Sequence, residues 1–307
     1  MSHVAIVGSG NVGANTAFFI AERGVTDVLL YDVRDGLAAG KALDMMEAAP
    51  VRRYRNRLAA AKSLEEIAGA QVVIVTAGAV RQPGMRREDL FCSNIPLVRE
   101  LAPRIASLCP DAVVLLVTEP IDLVTALFQR VSGLERGRVI GLGGCLDAAR
   151  LRFAIARELG VSQEDVTALV MGRHSPEMMI LPRYCTVSGV PVPQLMAPDR
   201  LEKVIEETRA AGDLIVQLAQ RSSAYYAPSA AAAELVDAVH MDLRRLFSVS
   251  LVLQGEYGVS GVAMSLPAAI GKGGAERVFT PGLEPEELER LLYAARALEA
   301  VLEEWTA

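Results

Sequence analysis

The sequence predicts an α/β protein, with a doubly wound parallel sheet in the first half and an α+β region after it. Short β-branched apolar runs alternate with helical segments through the first half of the 307 residues. Such continuous apolar strands indicate a parallel sheet that is covered on both faces. A glycine-rich turn follows the first strand, and the alternation gives way to a different rhythm near residue 145.

The first half contains five predicted strands and four predicted helices. The strands are expected at residues 4–7, 28–31, 72–76, 113–118 and 139–140, and the helices at 12–23, 40–47, 89–107 and 121–132. Several of these helices end at a glycine, as a helix C-cap typically does. We predict that residues 1–145 form one domain.

The second half mixes helices and strands without regular alternation. Helices are expected at 147–159, across 198–243 and at 285–305, and strands at 166–171, 183–187, 247–253 and 259–266. This pattern is typical of an α+β region, and we predict a second domain over residues 146–307. Because no repeat or flexible linker separates the halves, we expect one compact body with a cleft between them.

Composition argues against several classes of protein. No run reaches the ~18 uninterrupted apolar residues of a membrane span, and the chain begins without the pattern of a signal peptide, so we expect a cytoplasmic protein without a membrane partner. A net charge of -6 with interleaved acids and bases offers no basic stripe for nucleic acid. The cysteines form no C-x-x-C pair, which predicts free thiols and no metal site.

The turn between the first strand and the first helix carries a G-x-G-x-x-G motif. Its glycines have separate duties: Gly8 makes the tight turn, Gly10 lets backbone approach a pyrophosphate, and Gly13 lets helix and strand pack closely. The helix N-terminus then faces the anion. This is the pattern of a Rossmann dinucleotide-binding unit, and its expected contacts are Gly8, Ser9, Gly10, Asn11, Val12 and Gly13.

Asp32 ends the second predicted strand, about 20 residues after the motif, where a carboxylate would hydrogen-bond a ribose 2′-hydroxyl. A 2′-phosphate would be repelled there. We therefore predict NAD as the cofactor, with Arg34 as the one neighbour that would suit NADP.

Only three histidines are available as a general acid or base. His3 begins the first strand, and His240 lies in a helical run where a solvated or packing role is expected. His174 follows an apolar strand, in the turn Gly172-Arg-His-Ser-Pro176. Functional groups are often presented at such strand ends, although a histidine in a turn is by itself more often structural.

Two further segments carry charges that suit a carboxylate substrate. Asp147 and Arg150 are three positions apart on one helix face, either as a capping acid with an exposed ion pair or as a functional pair. Arg81, Arg86 and Arg87 follow a sheet strand at the edge where open α/β sheets bind ligands. Guanidinium groups bind carboxylates with two parallel hydrogen bonds; the alternative is a solvated basic loop.

Taken together, these motifs resemble the lactate/malate dehydrogenase family, and within it the malate dehydrogenases of the lactate-dehydrogenase-like type. The likeness runs nearly end to end and includes Ala224-Tyr-Tyr-Ala-Pro228 and Gln254-Gly-Glu-Tyr-Gly258. It implies hydride transfer between NAD and a 2-hydroxy acid, with the tricarboxylic acid cycle as setting. It also implies a homo-oligomer, a tetramer rather than a dimer.

The resemblance implies that residues 1–145 are an NAD-binding Rossmann domain and residues 146–307 a substrate-binding and catalytic domain. It also assigns roles to the charged residues. His174 would move the hydroxyl proton, and Asp147 would orient the imidazole and stabilise its protonated form. Arg150 would bind the C1 carboxylate. Arg87, from a closing loop, would polarise the C2 carbonyl and stabilise the developing alkoxide.

Three more positions match the family's pattern. Arg81 stands where lactate enzymes typically carry Gln, and it would bind the second carboxylate of a dicarboxylate substrate. It therefore favours malate as the substrate. Asn94 and the backbone of Val117 match cofactor-binding positions.

Two positions depart from the family. Glu119 replaces the usual Asn before Pro120, and Ser175-Pro176 replaces the usual Gly-Asp after the histidine. A carboxylate ~4 Å from a substrate carboxylate costs about 4 kcal/mol at an effective dielectric near 20, which is roughly three decades in binding or rate. Either Glu119 turns toward Arg81, Arg87 or another cation, or it is protonated, or the substrate is not an ordinary dicarboxylate. We hypothesise that Glu119 pairs with an active-site arginine and lowers oxaloacetate turnover.

Other functions remain open at this point. The nearest is a dehydrogenase for lactate or another 2-hydroxy acid. NAD-dependent glycosidases share the fold type but need a metal with Cys or His ligands, and here only His174 is suitably placed. Glu119 and Ser175-Pro176 also leave room for a low-activity NAD-binding protein.

Overall fold

In the computed structural model, which describes residues 3–79, 85–220 and 223–306, strands and helices alternate through the first half of the chain. The elements are β1 (His3–Val7), α1 (Asn11–Arg23), β2 (Asp27–Tyr31), α2 (Leu37–Arg52), β3 (Leu58–Ala60), β4 (Val72–Val75), α3 (Arg87–Leu108), β5 (Val113–Leu116), α4 (Ile121–Ser132) and β6 (Val139–Gly141). All nine predicted elements are present. Helix α2 is longer than predicted, and β3 was not predicted because its Leu-Ala-Ala sequence contains no β-branched residue.

The second half has long helices around short strands and one long hairpin. Its elements are α5 (Gly143–Leu159), β7 (Val166–Thr167), β8 (Val170–Met171), β9 (Met179–Ile180), β10 (Thr186–Val187), β11 (Val190–Pro191), α6 (Pro198–Ala219), α7 (Tyr226–His240), β12 (Arg245–Gln254), β13 (Ser260–Gly271), β14 (Gly274–Val278) and α8 (Pro285–Thr306). The prediction of one strand over residues 166–171 is wrong, since β7 pairs with β10 while β8 pairs with β9. A search of the described helices finds none with the length and apolarity of a membrane span.

The central sheet has nine strands in the order β14-β13-β12-β6-β5-β4-β1-β2-β3. Strands β1 to β6 are parallel and follow the Rossmann order, which confirms the predicted fold class. Strand β12 pairs antiparallel with β6 through Ser250 and Gly141. The hairpin of the second half thus extends the sheet, a continuity that the strand pattern alone did not predict.

The main core lies on both faces of this sheet. Every residue of β4 and β5 is buried, as expected for inner strands of a parallel sheet. A smaller core joins α5 to the short strands and the start of α6 through Leu151, Ile155, Val170 and Val204. Because β1, β4 and β5 are parallel, their carboxyl ends lie at the same edge of the sheet. The loops at this edge can carry a binding site.

Candidate active site

The phosphate cradle, defined here as residues 8–13, joins β1 to α1 and contains two glycines, Gly8 and Gly13, that leave no room for a side chain. Gly8 has φ +106°, and a Cβ on it would lie 2.5 Å from the backbone nitrogen of Ala77. A Cβ on Gly13 would overlap the carbonyl oxygen of Gly8. Thr76 fixes the same carbonyl by donating its hydroxyl at 2.8 Å. The tight turn and the close packing predicted from the sequence are therefore both present.

Gly10 is different because it faces open space. A Cβ on Gly10 would meet nothing within 4 Å, and the residue caps α1 without a side-chain hydrogen bond. The first N–H groups of a helix have no partner within it, and they carry the positive end of the helix dipole. With Asn11 and Val12 in its first turn, α1 presents an open site that fits a pyrophosphate.

Asp32 follows β2 beside the cradle. Its carboxylate accepts the N–H of Ser9 at 2.7 Å and that of Arg34 at 2.9 Å, and it pairs with the Arg34 guanidinium at 3.1 Å. Burial raises the pKa of Asp32, but the hydrogen bonds from Arg34 and Ser9 and the charge of Arg34 together hold it below its ordinary value. An ionised carboxylate at this position suits a ribose hydroxyl, and Arg34 is already engaged by it.

Asn94 and Val117 lie near the carboxyl ends of β4 and β5. Asn94 is buried in α3, where its Oδ1 accepts the N–H of Ala79 and its Nδ2 donates to the carbonyl of Glu119, both at 2.8 Å. The N–H of Val117 donates to the carbonyl of Val75 at 2.9 Å. Asn94 thus joins the loops that follow two sheet strands, and a cofactor contact of either residue stays a prediction.

His174 and Asp147 form a buried imidazole–carboxylate pair. The His174 Nδ1 lies 2.6 Å from the Asp147 Oδ2, and the side chain of Asp147 is 1% exposed. Asp147 lies within α5, so it is not an exposed capping acid. A carboxylate at Nδ1 fixes the ring orientation and directs Nε2 toward the cleft.

Arg87 and Arg150 complete the group around the imidazole. Arg87 begins α3 and donates its Nη1 to the backbone oxygen of His174 at 2.9 Å. The Nη1 of Arg150 lies 3.5 Å from the Asp147 Oδ1, while the buried Arg150 Nε has no hydrogen-bond partner among the described residues. Both guanidinium groups are therefore close to the His174–Asp147 pair.

Glu119 turns its carboxylate into this group. Its Oε1 lies 3.2 Å from the His174 Nε2, its Oε2 lies 3.7 Å from the Arg87 Nη1, and the N–H of Ile121 donates to it at 3.1 Å. The Glu119–Pro120 peptide is cis. The structure thus agrees with the first of the three outcomes left open by the sequence, in which Glu119 meets a cation. We call Arg87, Glu119, Asp147, Arg150 and His174 the catalytic cluster.

The charges in this cluster reinforce one another. Burial raises the pKa of Glu119, but the charge and hydrogen bond of His174, the charge of Arg87 and the N–H of Ile121 together lower it to about 2. Burial lowers the pKa of His174, but the charges and hydrogen bonds of Asp147 and Glu119 raise it well above its ordinary value. These directions favour an ionised Glu119 over a protonated one, and a protonated His174 imidazole between two carboxylates.

Asp122 is a site residue that the sequence analysis missed. Its Oδ2 accepts the backbone N–H of His174 and its Oδ1 accepts the hydroxyl of Ser250, both at 2.7 Å. Burial raises the pKa of Asp122 to about 6 although these hydrogen bonds oppose the rise. The available signal was a single acid in the first turn of α4, whose residues 121–128 are all buried.

Of the three loop arginines, only Arg87 is seen in the cluster. Arg86 is exposed and pairs with Asp89 at 2.8 Å, as in a solvated loop. Arg81, the predicted specificity residue, lies outside the described residues. The turn after His174 is hydrogen-bonded, with the Glu177 N–H donating to the buried Ser175 hydroxyl at 3.1 Å.

The other two histidines lie away from the cluster. His240 ends α7, and its Nδ1 lies 2.8 Å from the Oε1 of Gln71, which precedes β4 at the opposite edge of the sheet. His3 begins β1 at that same edge. His240 is partly buried and hydrogen-bonded to Gln71, which is compatible with the solvated or packing role expected for it.

A dinucleotide cradle and an oriented imidazole at one edge of a Rossmann sheet define a nicotinamide-dependent dehydrogenase. Residues 2–141 match the family model for the NAD binding domain of lactate/malate dehydrogenase, and residues 145–307 match the model for its alpha/beta C-terminal domain. The chain belongs to the lactate/malate dehydrogenase family.

Individual relatives cover almost the whole chain. A curated relative, the malate dehydrogenase of Roseiflexus castenholzii, is 41% identical over 96% of this chain and 96% of its own length. The apo malate dehydrogenase of Picrophilus torridus has a TM-score of 0.94 and 33% identity, covering 99% of this chain and 98% of its own. The lactate dehydrogenase of Cryptosporidium parvum, solved with lactic acid and nicotinamide adenine dinucleotide, has a TM-score of 0.95 and 30% identity, with coverage of 99% and 98%.

Proposed function

We propose that the protein is an NAD-dependent malate dehydrogenase, which interconverts malate and oxaloacetate. The observation that carries this proposal is the His174–Asp147 pair beside Arg87 and Arg150, at the same sheet edge as the phosphate cradle. The relatives named malate dehydrogenase support the choice of substrate.

The cofactor fits the residues at the cradle. The open space at Gly10, the N-terminus of α1 and the Asp32 carboxylate, whose pKa is lowered, suit a pyrophosphate and a ribose. NAD, when bound, supplies hydride transfer at C4 of its nicotinamide. We assign Ser9, Asn94 and Val117 to the same binding site, on the strength of their positions beside the cradle and the strand ends.

His174 moves the proton. In reduction, the imidazolium donates its Nε2 proton to the C2 oxygen as that oxygen becomes a hydroxyl. In oxidation, the neutral ring takes the hydroxyl proton. Asp147 holds Nδ1–H toward itself throughout, so the proton that moves is always the one on Nε2. Arg87 stabilises the negative charge that develops on the C2 oxygen.

The arginines bind carboxylates. Arg150 binds the C1 carboxylate with two hydrogen bonds, since among the described residues its buried Nε has no partner and its Nη1 has only a 3.5 Å contact with Asp147. We assign the second carboxylate to Arg81 on the basis of its sequence position. The preference for a dicarboxylate over pyruvate rests on that assignment.

We further propose that the chain works as a homo-oligomer, a tetramer or a dimer, in the cytoplasm and in the tricarboxylic acid cycle. Exposed apolar side chains on α6, at Leu214, Val216 and Leu218, support an interface. The domain boundary is proposed at residues 145 and 146, just after the start of α5.

The test is to follow the absorbance of NADH after adding oxaloacetate or pyruvate separately. Rapid loss with oxaloacetate and much slower loss with pyruvate are expected, and Arg81→Gln should move the preference toward pyruvate. A substrate ratio that stays fixed in Arg81→Gln would remove the reason for choosing malate. Tight NADH binding without turnover of either acid would instead support a non-enzymatic NAD-binding protein.

A further inference from the structure

The reaction needs two donors at the C2 oxygen of the substrate. These are the Nε2 of His174, which carries the proton, and the guanidinium of Arg87, which stabilises charge. Glu119 already contacts both, with Oε1 3.2 Å from Nε2 and Oε2 3.7 Å from the Arg87 Nη1. The Glu119 carboxylate therefore contacts, through its two oxygens, both of the donors that a substrate oxygen must reach.

We propose that Glu119 is an internal competitor of the substrate. Its carboxylate occupies the place of the substrate's C2 oxygen and keeps the His174 imidazole cationic until the substrate displaces it. This inference rests on the proposed function, because it takes the incoming oxygen to be that of a 2-hydroxy or 2-keto acid.

The two carboxylates on His174 differ in their freedom to move. The Asp147 side chain is 1% exposed, whereas that of Glu119 is 41% exposed. The backbone carbonyl of Glu119 accepts a hydrogen bond from Asn94, and its side chain accepts one from the N–H of Ile121 besides its contacts with His174 and Arg87. The Glu119 carboxylate can thus turn toward solvent, because hydration by water offsets most of the loss of a partly exposed ion pair. The buried Asp147 carboxylate stays in place.

Charged groups face His174 from four parts of the chain. Helix α5 contributes Asp147 and Arg150, and α3 contributes Arg87. Helix α4 contributes Asp122, which binds the backbone N–H of His174, and the segment before α4 contributes Glu119. Of these, only Glu119 is both in contact with Nε2 and partly exposed.

The direction of the effect follows from the charge. A neighbouring carboxylate favours the protonated imidazole, which is the form that oxaloacetate reduction needs. Malate oxidation needs the neutral ring. Glu119 therefore raises the pH at which oxidation begins, and it also raises the pH at which reduction is lost. Removing the charge at position 119 must move the pH midpoints of both malate oxidation and oxaloacetate reduction to lower pH.

The first experiment titrates the histidine ring signals by NMR in the protein without cofactor or substrate, for wild type and Glu119→Gln. With three histidines in the chain, the His174 signal is assigned by its loss in His174→Asn. The midpoint of His174 is expected at lower pH in Glu119→Gln. An unmoved His174 midpoint would overturn the proposal without any reference to activity.

The second experiment compares wild type with Glu119→Asn and Glu119→Gln in steady-state kinetics. The KM for oxaloacetate should fall about tenfold, equivalent to 1.4 kcal/mol, and the pH midpoint of kcat/KM for malate should move to lower pH. Glu88→Gln is the matched control, because Glu88 also lies 3.7 Å from a guanidinium, that of Arg173, without an ion pair to His174. An unchanged KM in both Glu119 variants would overturn the competition. If wild type does not reduce oxaloacetate, while the His174 midpoint in the NMR titration still differs between wild type and Glu119→Gln, the proposed function is wrong. The ion pair between Glu119 and His174 is then still supported.

Discussion

The phosphate cradle and the catalytic cluster share one edge of the sheet, but they are built in different ways. The cradle is made of backbone over residues 8–13, and two of its glycines leave no room for a side chain. The cluster is made of side chains from α3, α5, the turn at residues 172–176 and the segment before α4. A backbone site admits little change, whereas a side-chain site can accept a residue such as Glu119 while its other members keep their contacts.

The largest expected effect comes from removing the cluster's acid and base. His174→Asn should lower kcat in both directions by about 10³-fold, since general acid–base catalysis typically contributes 10²–10⁴-fold. The Kd for NADH, measured by fluorescence, should stay the same because the cradle is untouched. His240→Asn is the control, as His240 contacts Gln71 at the opposite edge. A variant that loses NADH binding together with turnover would contradict the separation of the two regions.

A smaller effect is expected within the cradle, where neighbouring glycines should behave differently. Gly13→Ala places a methyl group on the carbonyl of Gly8 and should destabilise the protein by about 1–3 kcal/mol, seen as a lower Tm. Gly10→Ala should leave Tm unchanged because its Cβ meets nothing, but it should weaken NADH binding about tenfold, since the pyrophosphate approaches there. Equal changes in Tm for both variants would show that the cradle is not packed as described.

The same contrast explains what the sequence could predict. The cradle is local, so its spacing in the chain determines its backbone, and the duties assigned to Gly8 and Gly13 match the structure. The contact of His174 with Asp147 joins residues that are 27 positions apart, and only the family resemblance predicted it. Spacing within α5 had left Asp147 open between a capping acid and a functional residue.

Other features depend on tertiary contacts that no local pattern encodes. Asp122 was missed because an acid in the first turn of a helix is ordinary, and only the fold brings it to the backbone of His174. The strands β12 and β13 were predicted, but their continuation of the parallel sheet was not, since the sequence pattern of a strand does not indicate which strand it pairs with. The orientation of the Glu119 side chain was left open because it depends on the positions of the charged side chains around it, which only the fold determines.

The central claim is that the cradle and the cluster serve one reaction, with hydride from the cofactor reaching C2 of a dicarboxylate. The most direct measurement uses NADH deuterated at both C4 positions, with oxaloacetate as substrate and NMR of the product. We expect malate with deuterium at C2, in an amount equal to the NADH consumed. Malate without deuterium at C2, or NADH left unconsumed, would contradict the claim.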